Sequence, residues 1–118
     1  IKYINKKINN LISDEYFVVL MPSKACQSCV SALYADMMKS AKINKNNVFL
    51  FSEFDDKIIN KIWIANGFDG YKYFGGIDTL FIDLPKDKLF VLKINRDLIN
   101  VRYMLYEPFI SKYIDDFF

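Results

Sequence analysis

Tyr16-Phe17-Val18-Val19-Leu20-Met21-Pro22-Ser23-Lys24-Ala25-Cys26-Gln27-Ser28-Cys29 is the stretch on which the fold turns. Residues 16–21 are almost wholly apolar and include two adjacent valines, the pattern of a strand buried on both faces of a sheet, and Pro22 stops the run. Such a strand is central. From Cys26 onward Val30, Leu33, Tyr34, Met37, Met38 and Ala41 step by three and four, which predicts a helix of about four turns that reaches close to Lys42. Asn44, Asn46 and Asn47 mark its exit.

Outward from this junction the apolar spacing changes period several times, each time beside turn chemistry. Tyr3, Ile4, Ile8, Leu11 and Ile12 recur at helical spacing and predict an amphipathic first helix ending near Ser13 and Asp14. Residues 48–51 read as a second buried strand. Asp55 or Asp56 then caps a helix carrying Ile58, Ile59, Ile62 and Trp63, which Asn66-Gly67 ends. Tyr71 to Phe74 is a short aromatic stretch whose state the pattern leaves open. Gly75-Gly76 leads into an apolar run at 79–84, a Pro85-Lys86-Asp87 turn and a second run at 89–94, which together predict a hairpin. Pro108 cannot sit inside a helix without kinking it, so the final helix is expected mainly over 108–118. The order predicts one α/β domain over 1–118. Its mixed sheet should have a parallel N-terminal part, a C-terminal antiparallel hairpin and helices on both faces.

Composition narrows the chemistry. The 118 residues are 53% hydrophobic and 17% aromatic, enough to fill an interior without a metal or several disulfides, which excludes disorder. Sixteen Lys and Arg against 14 Asp and Glu leave a net charge of +2, and the lysines are scattered rather than gathered into a run, so nucleic acid is not an expected partner. The chain has no histidine, which removes Ser-His-Asp and Cys-His catalysis and most zinc chemistry. No uncharged apolar run is long enough to span a bilayer.

The remaining chemistry lies in Cys26-Gln27-Ser28-Cys29, which holds the only two cysteines. Three positions apart on a first helical turn, the sulfurs can reach disulfide geometry, and free backbone N–H groups there stabilise a thiolate on the first cysteine. Cys26 is then the nucleophile and Cys29 the resolving thiol. Two cysteines without histidine leave a zinc site incomplete unless a second chain contributes, and Val30 stands where an attached haem would need His, so no cofactor or metal is expected. A bridge closing about four residues adds only about 2 kcal/mol in the chain-entropy model, a weak reason to keep it as a staple. Two cysteines that merely pack at a helix start are the plain alternative.

A CxxC at a strand-to-helix junction within this element order resembles the thioredoxin-like superfamily, over nearly the whole chain. A second anchor is Gly76-Ile77-Asp78-Thr79-Leu80-Phe81-Ile82, similar to the segment in which a glycine, an aliphatic residue, a cis-proline and a threonine open the antiparallel hairpin. Asp78 stands in the proline's place. The resemblance implies thiol-disulfide exchange with protein thiols and disulfides, with Ile77, Asp78 and Thr79 forming the substrate-binding corner beside Cys26 and Cys29. The departures matter. Ala25 replaces the Trp before the first cysteine, Gln27-Ser28 replaces Gly-Pro, and Leu20 falls where thioredoxins carry a buried Asp. An ionised Asp78 near Cys26 would raise the thiol pKa, and the Ile77-Asp78 bond is expected to be trans, so a sluggish oxidoreductase is predicted. A non-catalytic thioredoxin-like interaction domain is the competing expectation.

Asp55-Asp56 and Asp115-Asp116 read as caps and solvated surface, Tyr71, Tyr73 and Phe74 as packing, and Lys2, Lys6 and Lys7 as the wet face of the first helix. The Lys, Asn, Ile and Tyr bias fits a bacterium with an AT-rich genome. The start at Ile1 leads us to expect an upstream export signal and a place in the periplasm or cell envelope. Oligomeric state has no sequence signature here.

Overall fold

The apolar run at 16–21 becomes the middle strand of a mixed sheet. In the computed structural model, which describes residues 15–53, 56–76, 85–95 and 101–106, the elements run β1 (Glu15–Met21), α1 (Gln27–Met37), β2 (Val48–Ser52), α2 (Asp56–Ala65), β3 (Lys72–Phe74), β4 (Leu89–Asn95) and β5 (Val101–Tyr106). The described strands are ordered β3-β2-β1-β4-β5. β1, β2 and β3 are parallel to one another, whereas β4 runs antiparallel to β1 and β5 antiparallel to β4.

The alternation of β1 explains why it reads as a continuous apolar run. Phe17, Val19 and Met21 join Val48, Leu50, Leu89 and Val91 in a cluster on one face. Tyr16, Val18 and Leu20 join Phe49, Phe51, Leu92 and Ile94 in a second cluster on the other. Every residue from Tyr16 to Met21 is buried, so neither face of the central strand tolerates a polar side chain.

Both described helices pack on the first face. α1 contributes Val30, Leu33 and Met37, and α2 contributes Trp63. The strand order gives the reason: the steps from β1 to β2 and from β2 to β3 go in the same direction, and crossovers of one hand then place their helices on one side. The expectation of helices on both faces is therefore met on one face among the described residues. The helices expected near residues 3–12 and over 108–118 lie outside those residues.

Local chemistry sets the helix ends. α1 stops at Met37, short of the predicted Lys42, because the following side chains hydrogen-bond the backbone instead. Ser40 Oγ accepts the Lys42 N–H at 3.3 Å, Asn47 Oδ1 accepts the Asn44 N–H at 2.9 Å, and Asn47 Nδ2 donates to the Lys42 carbonyl at 2.7 Å. α2 ends in the predicted place by a Schellman arrangement. The Phe68 N–H reaches the Trp63 carbonyl at 2.9 Å and the Gly67 N–H that of Ile64 at 3.3 Å, while Gly67 takes φ 111° and the Phe68 ring packs on Trp63 with centroids 5.3 Å apart.

One predicted pairing is corrected. Residues 89–94 were expected to form a hairpin with 79–84, yet both edges of β4 are occupied, by β1 on one side and β5 on the other. The antiparallel hairpin at the C-terminal side of the sheet is β4-β5. Leu92 pairs with Val18 and Tyr103 at once, and residues 79–84 lie outside the described residues. Within the aromatic stretch at 71–74, Lys72–Phe74 form β3, the outermost strand on that side among the described residues. Tyr71 is buried in the first cluster, and Phe74 stacks on Phe51 with centroids 4.9 Å apart, so packing is their role.

Candidate functional site

The two cysteines sit where the central strand hands over to α1. β1 ends at Met21, Pro22 is buried, and residues 23–25 carry the chain to Cys26, the N-cap of α1 with φ −78° and ψ 140°. Cys26 and Cys29 form a disulfide with their Cα atoms 5.2 Å apart. Cys26 Sγ accepts the Cys29 N–H at 3.1 Å and lies 3.5 Å from Ser28 Oγ. A cap oxygen is replaced here by sulfur, so the capping atom and the redox atom are the same.

The two sulfurs differ in surroundings. Cys26 is exposed, as are Gln27 and Ser28 beside it, whereas Cys29 is half-buried and packs against the first-face cluster together with Ala25. An incoming group therefore meets Cys26 first.

The loop before the cysteines is fully paired along its N–H groups. The Ser23 N–H donates to Glu53 Oε1 at 3.0 Å, the Lys24 N–H to the Lys86 carbonyl at 2.9 Å, and the Ala25 N–H to the Pro22 carbonyl at 3.2 Å. Glu53, one residue past β2, also takes the Lys86 ammonium on Oε2 at 3.1 Å. Three segments thus meet at one end of the sheet: the exits of β1 and β2 and the turn that opens β4. Sequence reasoning missed Glu53, Ser23 and Lys86. Glu53 and Lys86 lie 33 positions apart, and the only local hint was that each charge sits just outside an apolar strand run.

Of the predicted site residues, Cys26 and Cys29 are brought together and bonded. Ile77, Asp78 and Thr79 lie outside the described residues. The turn that enters the antiparallel neighbour of β1 is the one holding Lys86, and its carbonyl is the group that meets the loop before the cysteines. Leu20, in the place where the resemblance puts a buried acid, is 4% exposed within the second apolar cluster. Among the described residues no group of three metal-ligating side chains occurs, and no helix is long and apolar enough to cross a membrane. The chain matches no family model, no curated protein sequence and no solved structure.

Proposed function

We propose that this chain is a thioredoxin-like domain that exchanges thiols and disulfides with other proteins through Cys26 and Cys29. The observation that supports it best is the asymmetry of the bonded pair: an exposed sulfur at the helix cap and a half-buried partner one turn on. In the oxidised form a substrate thiolate attacks Cys26 Sγ, the Cys26–Cys29 bond breaks, and Cys29 leaves as the thiolate. A second substrate thiolate attacks the substrate sulfur of the mixed disulfide. That step releases an oxidised substrate and the Cys26 thiolate, so two electrons have passed to the pair. Run in reverse, Cys26 attacks a substrate disulfide and Cys29 resolves the mixed disulfide, regenerating the bridge and a reduced substrate.

By resemblance, Ile77, Asp78 and Thr79 make the substrate-binding corner, and a carboxylate at Asp78 close to Cys26 slows attack by raising the thiol pKa. Asp78→Asn is expected to lower the pH midpoint of Cys26 alkylation. A midpoint that stays or rises removes Asp78 from the site.

The decisive assay is insulin reduction by dithiothreitol. Wild-type protein should accelerate insulin precipitation above the dithiothreitol background, and Cys26→Ser should return it to background. Equal rates for the two forms end the exchange reading. They would select a second one, a non-catalytic interaction domain of the bacterial cell envelope with a permanent bridge. Burial of Leu20 among apolar side chains favours that alternative, because the position supplies no acid to move a proton to or from Cys29.

A further inference from the structure

From the contacts around residues 22–25 we infer that Glu53 is a positioning residue for the Cys26–Cys29 pair. The inference rests on the exchange reading above for its functional meaning. The loop from Pro22 to Ala25 delivers Cys26 to the helix cap, and only one side chain among the described residues holds it. Glu53 Oε1 takes the Ser23 N–H, while Oε2 is held by the Lys86 ammonium, whose own backbone carbonyl takes the next N–H of the loop, that of Lys24. The Glu53 N–H in turn donates to the Met21 carbonyl at 3.4 Å, at the last residue of β1.

The arrangement has a division of labour. The Lys86 ammonium occupies one carboxylate oxygen, and the other fixes the loop. The Glu53 side chain is only 14% exposed, against 43% for Lys86, so the carboxylate is the more firmly seated partner of the ion pair. A charge-assisted bond to a backbone N–H is also stronger than a neutral one. Cys26 itself makes its cap through Sγ and the Cys29 N–H, a geometry that already places the two sulfurs together. Holding the loop therefore pre-organises the dithiol for ring closure and favours the bridge over the open dithiol.

The equilibrium between the protein pair and dithiothreitol measures this directly: the protein disulfide gains two electrons and two protons as dithiothreitol closes to its cyclic disulfide. Glu53→Ala should shift that equilibrium about fivefold toward the protein dithiol. Glu53→Gln, which keeps an oxygen for the Ser23 N–H, should stay within about twofold of wild type, as should Lys86→Met, which leaves the Ser23 bond intact. An unchanged equilibrium in Glu53→Ala with a lowered melting temperature would make Glu53 a structural residue only and overturn the proposal. An equal shift in Lys86→Met would overturn it too. If Glu53→Ala does not fold, Glu53→Leu, which fills the place without an oxygen for the Ser23 N–H, takes its part: the equilibrium should move the same way, and an unchanged equilibrium overturns the proposal. The dithiothreitol equilibrium exists whether or not the protein is an enzyme. Failure of wild-type protein in the insulin assay thus ends the exchange reading without touching this result.

Discussion

The two ends of α1 are built on opposite plans. At its first turn Cys26, Gln27 and Ser28 are exposed, the cap is the Cys26 sulfur on the Cys29 N–H, and the loop before it is held by backbone bonds plus one carboxylate. Toward its last turn side chains do the holding. Met37 is fully buried, Tyr34 sits edge-on to Phe68 and Tyr71 at 5.0 and 6.3 Å, and Asp36 Oδ2 accepts the Tyr106 hydroxyl at 2.5 Å. Tyr71 donates to Met38 Sδ at 3.7 Å. A reactive turn needs its atoms reachable, so it is held from the loop before it and not by its own burial. The far end carries the helix's packing, and changes there should alter stability while leaving sulfur chemistry almost untouched.

The largest expected effect is at Met37. Truncation to Ala removes a fully buried side chain from the first-face cluster and should cost about 3 kcal/mol in urea unfolding, with the dithiothreitol equilibrium unchanged within about twofold. A parallel shift in that equilibrium would show that the two ends are not separate. Next comes Gly67→Ala. A Cβ there would stand 2.5 to 2.8 Å from the Tyr34 ring at a φ of +111°, so strain and overpacking should together remove about 2 to 3 kcal/mol.

Tyr106→Phe should cost about 1 kcal/mol at neutral pH, by loss of the bond to Asp36. The same residue sets an alkaline limit. Burial, then the hydrogen bond to Asp36 and its charge, hold the Tyr106 phenol well above the ordinary 10.0. A raised pKa means that the folded state favours the proton, so this contribution is complete below pH 10 and is lost as pH climbs toward the folded-state value. Burial raises the Tyr16 and Tyr71 phenols as well, with the Tyr34 charge adding to the effect on Tyr71. Unfolding free energy should fall above pH 10, and less steeply in Tyr106→Phe. Identical slopes would show that Tyr106 ionises as freely folded as unfolded. The smallest change is Lys39→Met. Its ammonium reaches Asp36 Oδ1 at 3.3 Å from a side chain 66% exposed, so the loss should be a few tenths of a kcal/mol and fade in salt.

What the sequence revealed was local. The period of residues 16–21, the cysteines at the helix start and the Asn66-Gly67 stop each write their structure within a few positions, and each is found where expected. Partner choice in the sheet is not local. Residues 89–94 look like half of a tight hairpin because an apolar run and a turn precede them, but the structure gives one edge to β1, far earlier in the chain, and the other to β5. β5 itself hid because Arg102 interrupts its apolar run and Pro108 drew the C-terminal segment toward a helix. The site shows the same limit. Cys26 and Cys29 announce themselves by spacing, whereas the Glu53 bridge between Ser23 and Lys86 joins residues that no periodicity connects.

The position of β1 has a consequence for how the molecule breathes. It is laddered on both sides, to β2 through Phe17–Met21 and to β4 through Glu15–Leu20, whereas β3 has three residues and is outermost on its side among the described residues. Deuterium should therefore enter from the rims inward and reach the amides of β1 last. The sulfur-bearing turn leaves this strand at Met21, so the outer described strands can open and close while the redox pair keeps its mooring on the middle of the sheet.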